Sequence, residues 1–187
     1  MFKIVEFSHL IIREYFNSTK KDFINCLDAT CGMGNDTIFI SKLVGNKGHV
    51  DAYDIQTQAI NATSQKINQE AITNVTLFHD SHENIDPTRY DLAIFNLGYL
   101  PNYDKTITTK TSSTMTAITK LVDEIKNNPD LLIIVCIYPG HEEGKRESNA
   151  IEEYVLNLCS KQYLVTKFLN YNRPTSPYII TISRTKM

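Results

Sequence analysis

One stretch of this sequence carries unusual chemistry for its length: Asp28-Ala29-Thr30-Cys31-Gly32-Met33-Gly34-Asn35-Asp36-Thr37. It joins an apolar run ending in an acid to a segment with helical spacing. Two glycines let a backbone turn tightly and approach a ligand, and a helix start presents N–H groups beside them. A second acid, Asp54, closes the next alternating run and is followed by Gln56. A carboxylate at that place suits the diol of a ribose. A dinucleotide fingerprint asks for a third glycine where Thr37 stands, and Asp28 would face a pyrophosphate. An acidic, phosphate-free loop better fits a ligand that carries an ammonium and a sulfonium, so the residues point to S-adenosyl-L-methionine rather than NAD. The structural alternatives are a turn cap for Asp28 and a helix cap for Asp54.

Three further strand ends offer polar groups. His79-Asp80-Ser81-His82-Glu83 follows a β-rich run, and Ser81 and His82 are candidates to meet an adenine. Asn96-Leu97-Gly98-Tyr99-Leu100-Pro101 follows a buried run. There Asn96 offers a carbonyl to an amine and Tyr99 an aromatic face to a base. The segment is similar to the Asn/Asp-Pro-Pro-Tyr signature of amino-group methyltransferases, with Leu97-Gly98 in place of Pro-Pro. Tyr138-Pro139-Gly140-His141 follows the most apolar run, and His141 is a candidate base or substrate contact. Cys26, Cys31, Cys136 and Cys159 have no metal-ligand spacing and read as small buried side chains. No metal is expected, since neither HExxH nor a His-Asp cluster is present. Methylation at a pyrimidine carbon-5 would need a cysteine nucleophile. Cys136 lies inside a strand and Cys31 in the glycine loop, so that reaction is rejected.

The elements that must carry these ends are legible. Strands are expected at 23–28, 48–54, 75–79, 92–96, 131–137, 163–170 and 178–183. Helices are expected at 35–44, 56–70, 112–127 and 147–159, with a further helix at 3–20 before the first strand. Alternation of this kind predicts an α/β fold: a doubly wound, mostly parallel seven-stranded sheet of Rossmann-like type, closed by an antiparallel edge hairpin. Neither repeats nor a linker interrupts it, so residues 1–187 are expected to form one domain, with 1–21 as a helical extension. The 187 residues are 42% hydrophobic and 21% charged, which excludes disorder as the main state. A net charge of −2 excludes a uniformly basic nucleic-acid coat but not a local basic face. No apolar run approaches the ~20 residues of a membrane span, and the N-terminus lacks a secretory signature. A cytoplasmic protein without a membrane partner is the expectation.

Taken together, Asp28-Ala29-Thr30 with the Gly32/Gly34 loop, Asp36-Thr37, Asp54-Ile55-Gln56, Ser81-His82-Glu83, Asn96 to Pro101, Asp104-Lys105, Tyr138 to His141 and Asn172-Arg173-Pro174 fall in one order. That order resembles the MnmM (YtqB-like) family of bacterial tRNA methyltransferases, from about Ser8 to the C-terminus. The resemblance implies a class I S-adenosylmethionine-dependent enzyme. Its implied reaction is N-methylation of 5-aminomethyl-2-thiouridine at the wobble position of tRNA. It implies cofactor contacts from Asp28, Thr30, Gly32, Gly34, Asn35, Asp36, Thr37, Asp54, Gln56, Ser81, His82 and Asn96. It implies catalysis by Asn96, Tyr99 and His141, and substrate contacts from Tyr99, Lys105, His141, Lys145, Arg146 and Arg173. The partner would be a tRNA anticodon arm, and a homodimer is compatible with this reading. After Tyr154 the chain has no acid but carries Lys161, Lys167, Arg173, Arg184 and Lys186, which with Lys110, Lys145 and Arg146 predicts a basic wall for phosphates. The rival readings are methylation of another RNA, of a small-molecule amine or of a protein amine, and an RNA-binding module without catalysis.

Overall fold

The computed structural model of the chain describes residues 3–98, 109–173 and 175–185. Its sheet is built from β1 (Ile24–Asp28), β2 (Gly48–Tyr53), β3 (Val75–Phe78), β4 (Leu92–Asn96), β5 (Leu132–Ile137), β6 (Tyr163–Phe168) and β7 (Tyr178–Arg184). The order across it is β3-β2-β1-β4-β5-β7-β6. The first five strands pair in parallel, and β7 runs antiparallel to both β5 and β6. This is the doubly wound sheet with an antiparallel edge that the sequence predicts. The helices are α1 (Ile4–Ser18), α2 (Asn35–Val44), α3 (Thr57–Gln69), α4 (Thr111–Glu124) and α5 (Glu142–Leu156).

Strand alternation decides which side chains meet which helices. Leu92 and Ile94 of β4, with Ile134 and Cys136 of β5, face Ile12 of α1 and Ile40 and Val44 of α2. Their neighbours Ala93, Phe95, Ile133 and Val135 face the other way, against Ile118 and Leu121 of α4 and Ile151 of α5. The central strands are therefore apolar on both faces, as helices on both sides demand. Burial of each such Leu, Ile or Phe contributes about 1.5–3 kcal/mol. Among the described residues, no helix is long and apolar enough to cross a membrane. Cys26, Cys31 and Cys136 are buried as expected, whereas Cys159 is exposed beyond the end of α5.

The helix boundary that departs furthest from the expectation is the start of α5. α5 begins at Glu142, more than a turn before 147, because Gly140 and Gly144 read as loop signals in the sequence. His141 is the helix cap: its Nδ1 accepts the Gly144 N–H at 2.7 Å. Gly144 lies inside the first turn, where a Cβ would stand 2.2 Å from the Tyr138 carbonyl oxygen. Close backbone approach, not chain reversal, is what this glycine serves.

Two carboxylates lock opposite edges of the sheet. Where β1, β4 and β5 begin, Asp91 Oδ2 accepts the Asn25 N–H at 3.0 Å. Its Oδ1 accepts from Asn128 Nδ2 at 3.1 Å and from the Lys21 ammonium. Where β1 ends, Asp28 is buried; its Oδ2 accepts the Thr37 hydroxyl at 2.6 Å and its Oδ1 the Thr30 N–H at 3.3 Å. Burial above all, then the neighbouring Asp36, pushes the Asp28 carboxyl up to about 7, against the pull of those two hydrogen bonds.

Replacing Asp91 by Ala strands the Lys21 ammonium and the Asn25 N–H, and should lower the unfolding free energy in urea by about 3 kcal/mol. Asp28 predicts a pH effect of definite sign. The fold holds its proton more tightly than the unfolded chain does, so its contribution to stability is complete below the ordinary carboxylate value of 3.8 and is lost as pH rises through about 7. Urea midpoints of Asp28→Asn should lack that fall across the window, and a wild-type slope retained in the variant would assign the effect elsewhere.

Candidate active site

The carboxyl ends of the five parallel strands share one edge, and a cleft of about 840 Å³ opens along it. That is an ordinary size for a small-molecule site, and it lies where strand order reverses, between β1 and β4. Thr30, Gly32, Asn35 and Asp36 line it from the β1–α2 loop. Gly34 sets the loop's shape without lining the cleft. Its φ is +76°, it caps α2, and a Cβ there would lie 2.9 Å from Thr63 Oγ1 of α3. Thr63 also donates to the Gly32 carbonyl at 3.0 Å, so α3 clamps the loop from above.

Asp28 and Thr37 correct the sequence reading. Their side chains bond each other beneath the loop and do not line the cleft, so the acid expected to face a cationic ligand acts as a structural tie. Asp36 is the acid that does line the cleft at the helix start. It accepts from His9 Nε2 at 2.6 Å and from Asn96 Nδ2. Asn96 is fixed a second time through its backbone N–H, which donates to Thr30 Oγ1 at 2.7 Å. Its Oδ1 lies 3.5 Å from the Tyr138 hydroxyl. Burial holds that phenol well above the usual tyrosine range, so it stays protonated and a donor.

Asp54 and Gln56 line the cleft beyond β2. Asp54 accepts the Gly32 N–H on Oδ2 at 3.0 Å and the Gln56 N–H on Oδ1 at 2.9 Å. The residue capping α3 is Gln56, not Asp54. Burial raises the Asp54 carboxyl above its ordinary value, which the two backbone N–H groups only partly oppose. Ile55 beside it is half exposed and also lines the cleft, an apolar surface that a charge-based reading does not find. Past β3, Ser81 accepts the Glu83 N–H, while His82 sits almost wholly buried with Nδ1 donating to the Ala29 carbonyl at 3.1 Å. That bond places the ring proton on Nδ1, and burial lowers the pKa, so the ring is neutral with an acceptor Nε2. Nε2 has no hydrogen-bond partner among the described residues.

His141 lines the far end of the cleft, with Gly98 facing its Nε2. Because Nδ1 accepts the Gly144 N–H, the proton of a neutral ring sits on Nε2, an atom buried beside Gly98. Lys110 and Thr175 join it there; Thr175 comes from the β6–β7 connection. Tyr99, Lys105 and Lys186 lie outside the described residues.

The expected basic wall is only partly formed. Arg146 is held by Glu142 at 2.6 Å and Glu143 at 3.7 Å on its own helix. Lys167 pairs with Glu152 at 2.8 Å and lies over the Tyr178 ring. Arg184 and Lys161 sit at the opposite edge of the sheet, because β7 starts at the cleft and runs away from it. Lys110, Lys145 and Arg173 remain exposed on the cleft side. Two contributors are given no role by the sequence. Tyr138 closes an apolar strand and reads as part of its end, and His9 is one polar residue on a helix with no expected part in the site.

The residues fit the expected cofactor. Asp36 and Asp54 supply negative charge for a sulfonium and an ammonium, Ile55 an apolar face, and His82 a buried acceptor of the polarity an adenine amino group needs. Among the described residues, no cluster of His, Cys, Asp and Glu could hold a metal ion.

Residues 50–184 match the family model for rRNA methylase. The chloroplastic tRNA (mnm(5)s(2)U34)-methyltransferase of Arabidopsis thaliana is 33% identical over 192 residues, spanning 95% of this chain and 68% of that protein. A Clostridium thermocellum structure described as an rRNA-methylase superposes with a TM-score of 0.86 at 31% identity, covering 99% of both chains. A Streptococcus mutans protein described as a methyltransferase, solved with S-adenosylhomocysteine, gives 0.81 at 28% identity, again over 99% of both. The cleft and these likenesses agree: the chain belongs to the rRNA methylase family and is an S-adenosylmethionine-dependent methyltransferase.

Proposed function

We propose that the chain methylates the primary amine of 5-aminomethyl-2-thiouridine at wobble position 34 of tRNA, in line with the reaction named for its Arabidopsis relative. The observation that carries this reading is the Asn96 amide. With its NH2 group on Asp36, its carbonyl oxygen is the end offered to an incoming N–H donor. A neutral amine has such donors and keeps a lone pair for attack, whereas a ring-carbon acceptor has no donor at the reacting atom.

When bound, S-adenosylmethionine supplies a methyl carbon that takes the electron pair of the acceptor nitrogen as its bond to sulfur breaks. The chain's residues bind and align the reactants. Asp54 accepts the ribose hydroxyls on the lone pairs its two backbone N–H donors leave over. Ile55 covers one face of the adenine, and Ser81 and His82 meet its edge. Thr30, Gly32, Asn35 and Asp36 surround the methionine end, over the turn that Asp28, Gly34 and Thr37 shape. Asn96 Oδ1 accepts one N–H of the neutral amine and so directs its lone pair at the methyl group. Alignment of this kind lowers barriers by up to about 7–11 kcal/mol. A free alkylamine near the lysine value costs about 4.6 kcal/mol to deprotonate at pH 7, which a partly desolvated cleft reduces. Asp36 offsets the positive charge the nitrogen gains, and the surplus proton leaves to water. His141 caps α5 through Nδ1 and lines the acceptor end of the cleft. Lys145 and Arg173 contact phosphates of the anticodon arm.

Mass spectrometry of tRNA and rRNA nucleosides from cells with and without the gene tests the reading. Loss of the 5-methylaminomethyl nucleoside and accumulation of its aminomethyl precursor are expected in tRNA. A change confined to rRNA would overturn it. Asp54→Ala should weaken S-adenosylmethionine binding by about 1.5–3 kcal/mol in calorimetry, and unchanged affinity would remove Asp54 from the ribose. Alanine at Arg173 or Lys145 should flatten the salt dependence of tRNA binding by about 0.7–0.9 in log–log slope for each phosphate that is no longer neutralised.

A further inference from the structure

The N-terminal helix meets the cleft through Val5, which lines it, and through His9, which bonds the cleft-lining Asp36. The His9 ring lies flat on Phe39 of α2, with centroids 3.7 Å apart and planes 3° from parallel. Arg13, one turn along α1, lies over the same Phe39 at 5.1 Å. The stack fixes the ring plane and puts Nε2 2.6 Å from Asp36 Oδ1. The other Asp36 oxygen accepts from Asn96 Nδ2. The two bonds occupy the two carboxylate oxygens and stop the group from rotating about its last torsion.

This matters for the sense of the Asn96 amide. An ionised carboxylate only accepts hydrogen bonds, so the amide end turned to it must be NH2 and the opposite end the carbonyl. The Tyr138 hydroxyl, a protonated donor, stands 3.5 Å from that carbonyl and agrees with the same sense. If the carboxylate turns, the first reason for the sense is lost and only the Tyr138 hydroxyl, at 3.5 Å, still favours it. Asn96 could then offer NH2 to the cleft, a donor facing the N–H groups of the acceptor.

We propose that His9 is a positioning residue for the methyl acceptor: by holding Asp36 it fixes the Asn96 amide with Oδ1 toward the incoming amine. The inference rests on the reading of Asn96 as the acceptor contact. It makes α1 part of the catalytic apparatus, although α1 does not touch the reacting atoms.

The test uses three variants of the full chain. His9→Phe keeps a ring on Phe39 and loses the hydrogen bond. His9→Gln keeps a donor at the place of Nε2 and loses the ring. His9→Ala loses both. With tRNA from cells lacking the gene as acceptor, His9→Phe and His9→Ala should each lose about tenfold in kcat, with KM for S-adenosylmethionine within about twofold of wild type. His9→Gln should restore most of the loss. A second readout needs no turnover. The Asn96 side-chain NH2 resonances, assigned by their absence in Asn96→Asp, should exchange with solvent faster in His9→Phe and His9→Ala than in wild type or His9→Gln. Full activity and slow exchange in His9→Phe would overturn the proposal, as would a His9→Gln variant as impaired as His9→Phe, which would assign the role to the ring stack. If wild-type protein leaves the wobble nucleoside unmethylated, the proposed substrate fails, and the exchange rates alone decide the role of His9.

Discussion

The buried carboxylate of Asp28 is the constraint on which the cleft depends. It ties the end of β1 to the first turn of α2 through Thr37, and so sets the angle at which the helix leaves the sheet. The next residues of the turn inherit that angle. Thr30 accepts the backbone N–H of Asn96 and joins the ends of β1 and β4 across the point where strand order reverses. Gly32 donates to Asp54 and joins the same turn to β2. Three strand ends are thus referred to one loop.

Such a construction concentrates negative charge. Asp28, Asp36 and Asp54 crowd one turn, and burial raises the carboxyls of the first and last above their ordinary value. Crowding acids in low dielectric is unfavourable for the folded chain on its own, and a cationic ligand reverses the sign of the effect. Of the three, Asp36 and Asp54 line the cleft, so the charge a cationic ligand would meet there also bears on the stability of the fold. The outer rim differs in character. Lys110, Lys145 and Arg173 are exposed on the cleft side, so an acidic floor suited to the cofactor sits below a basic margin suited to a polyanion.

How much of this is legible in the sequence depends on whether the signal is local. The bounds of α2 are readable because Gly34-Asn35 and Val44-Gly45 punctuate it, and the buried strands because their apolar runs are short and bounded. The start of α5 is misread since a glycine signals a loop by its type, whereas Gly144 is required by a carbonyl that only the folded chain brings near. The basic tail is misread for a directional reason. Composition counts Arg184 and Lys167 with Arg173, but an antiparallel strand carries Arg184 to the far edge, and Glu152 takes up Lys167. Asp28 and Asp36 are a similar case: both acids stand out in the sequence, but which one faces the ligand follows from side-chain direction. His9 lies 27 residues from its partner Asp36, and nothing in its own neighbourhood announces the contact.

The hairpin at the edge of the sheet has a consequence of another kind. β1, β2 and β5 reach the cleft at their carboxyl ends and lead within a few residues into helices packed on the core, so a change of length there disturbs that packing. β7 reaches the cleft at its beginning, and the segment before it returns from β6 through an exposed connection that brings Thr175 to the rim. Insertions in that connection leave the ladder of β5, β7 and β6 in register, because the antiparallel pairing is set by residues beyond the turn. Within this architecture the cleft and its outer rim are therefore separable. The parallel half forms the cleft, and the hairpin connection can change in length at the rim without disturbing it.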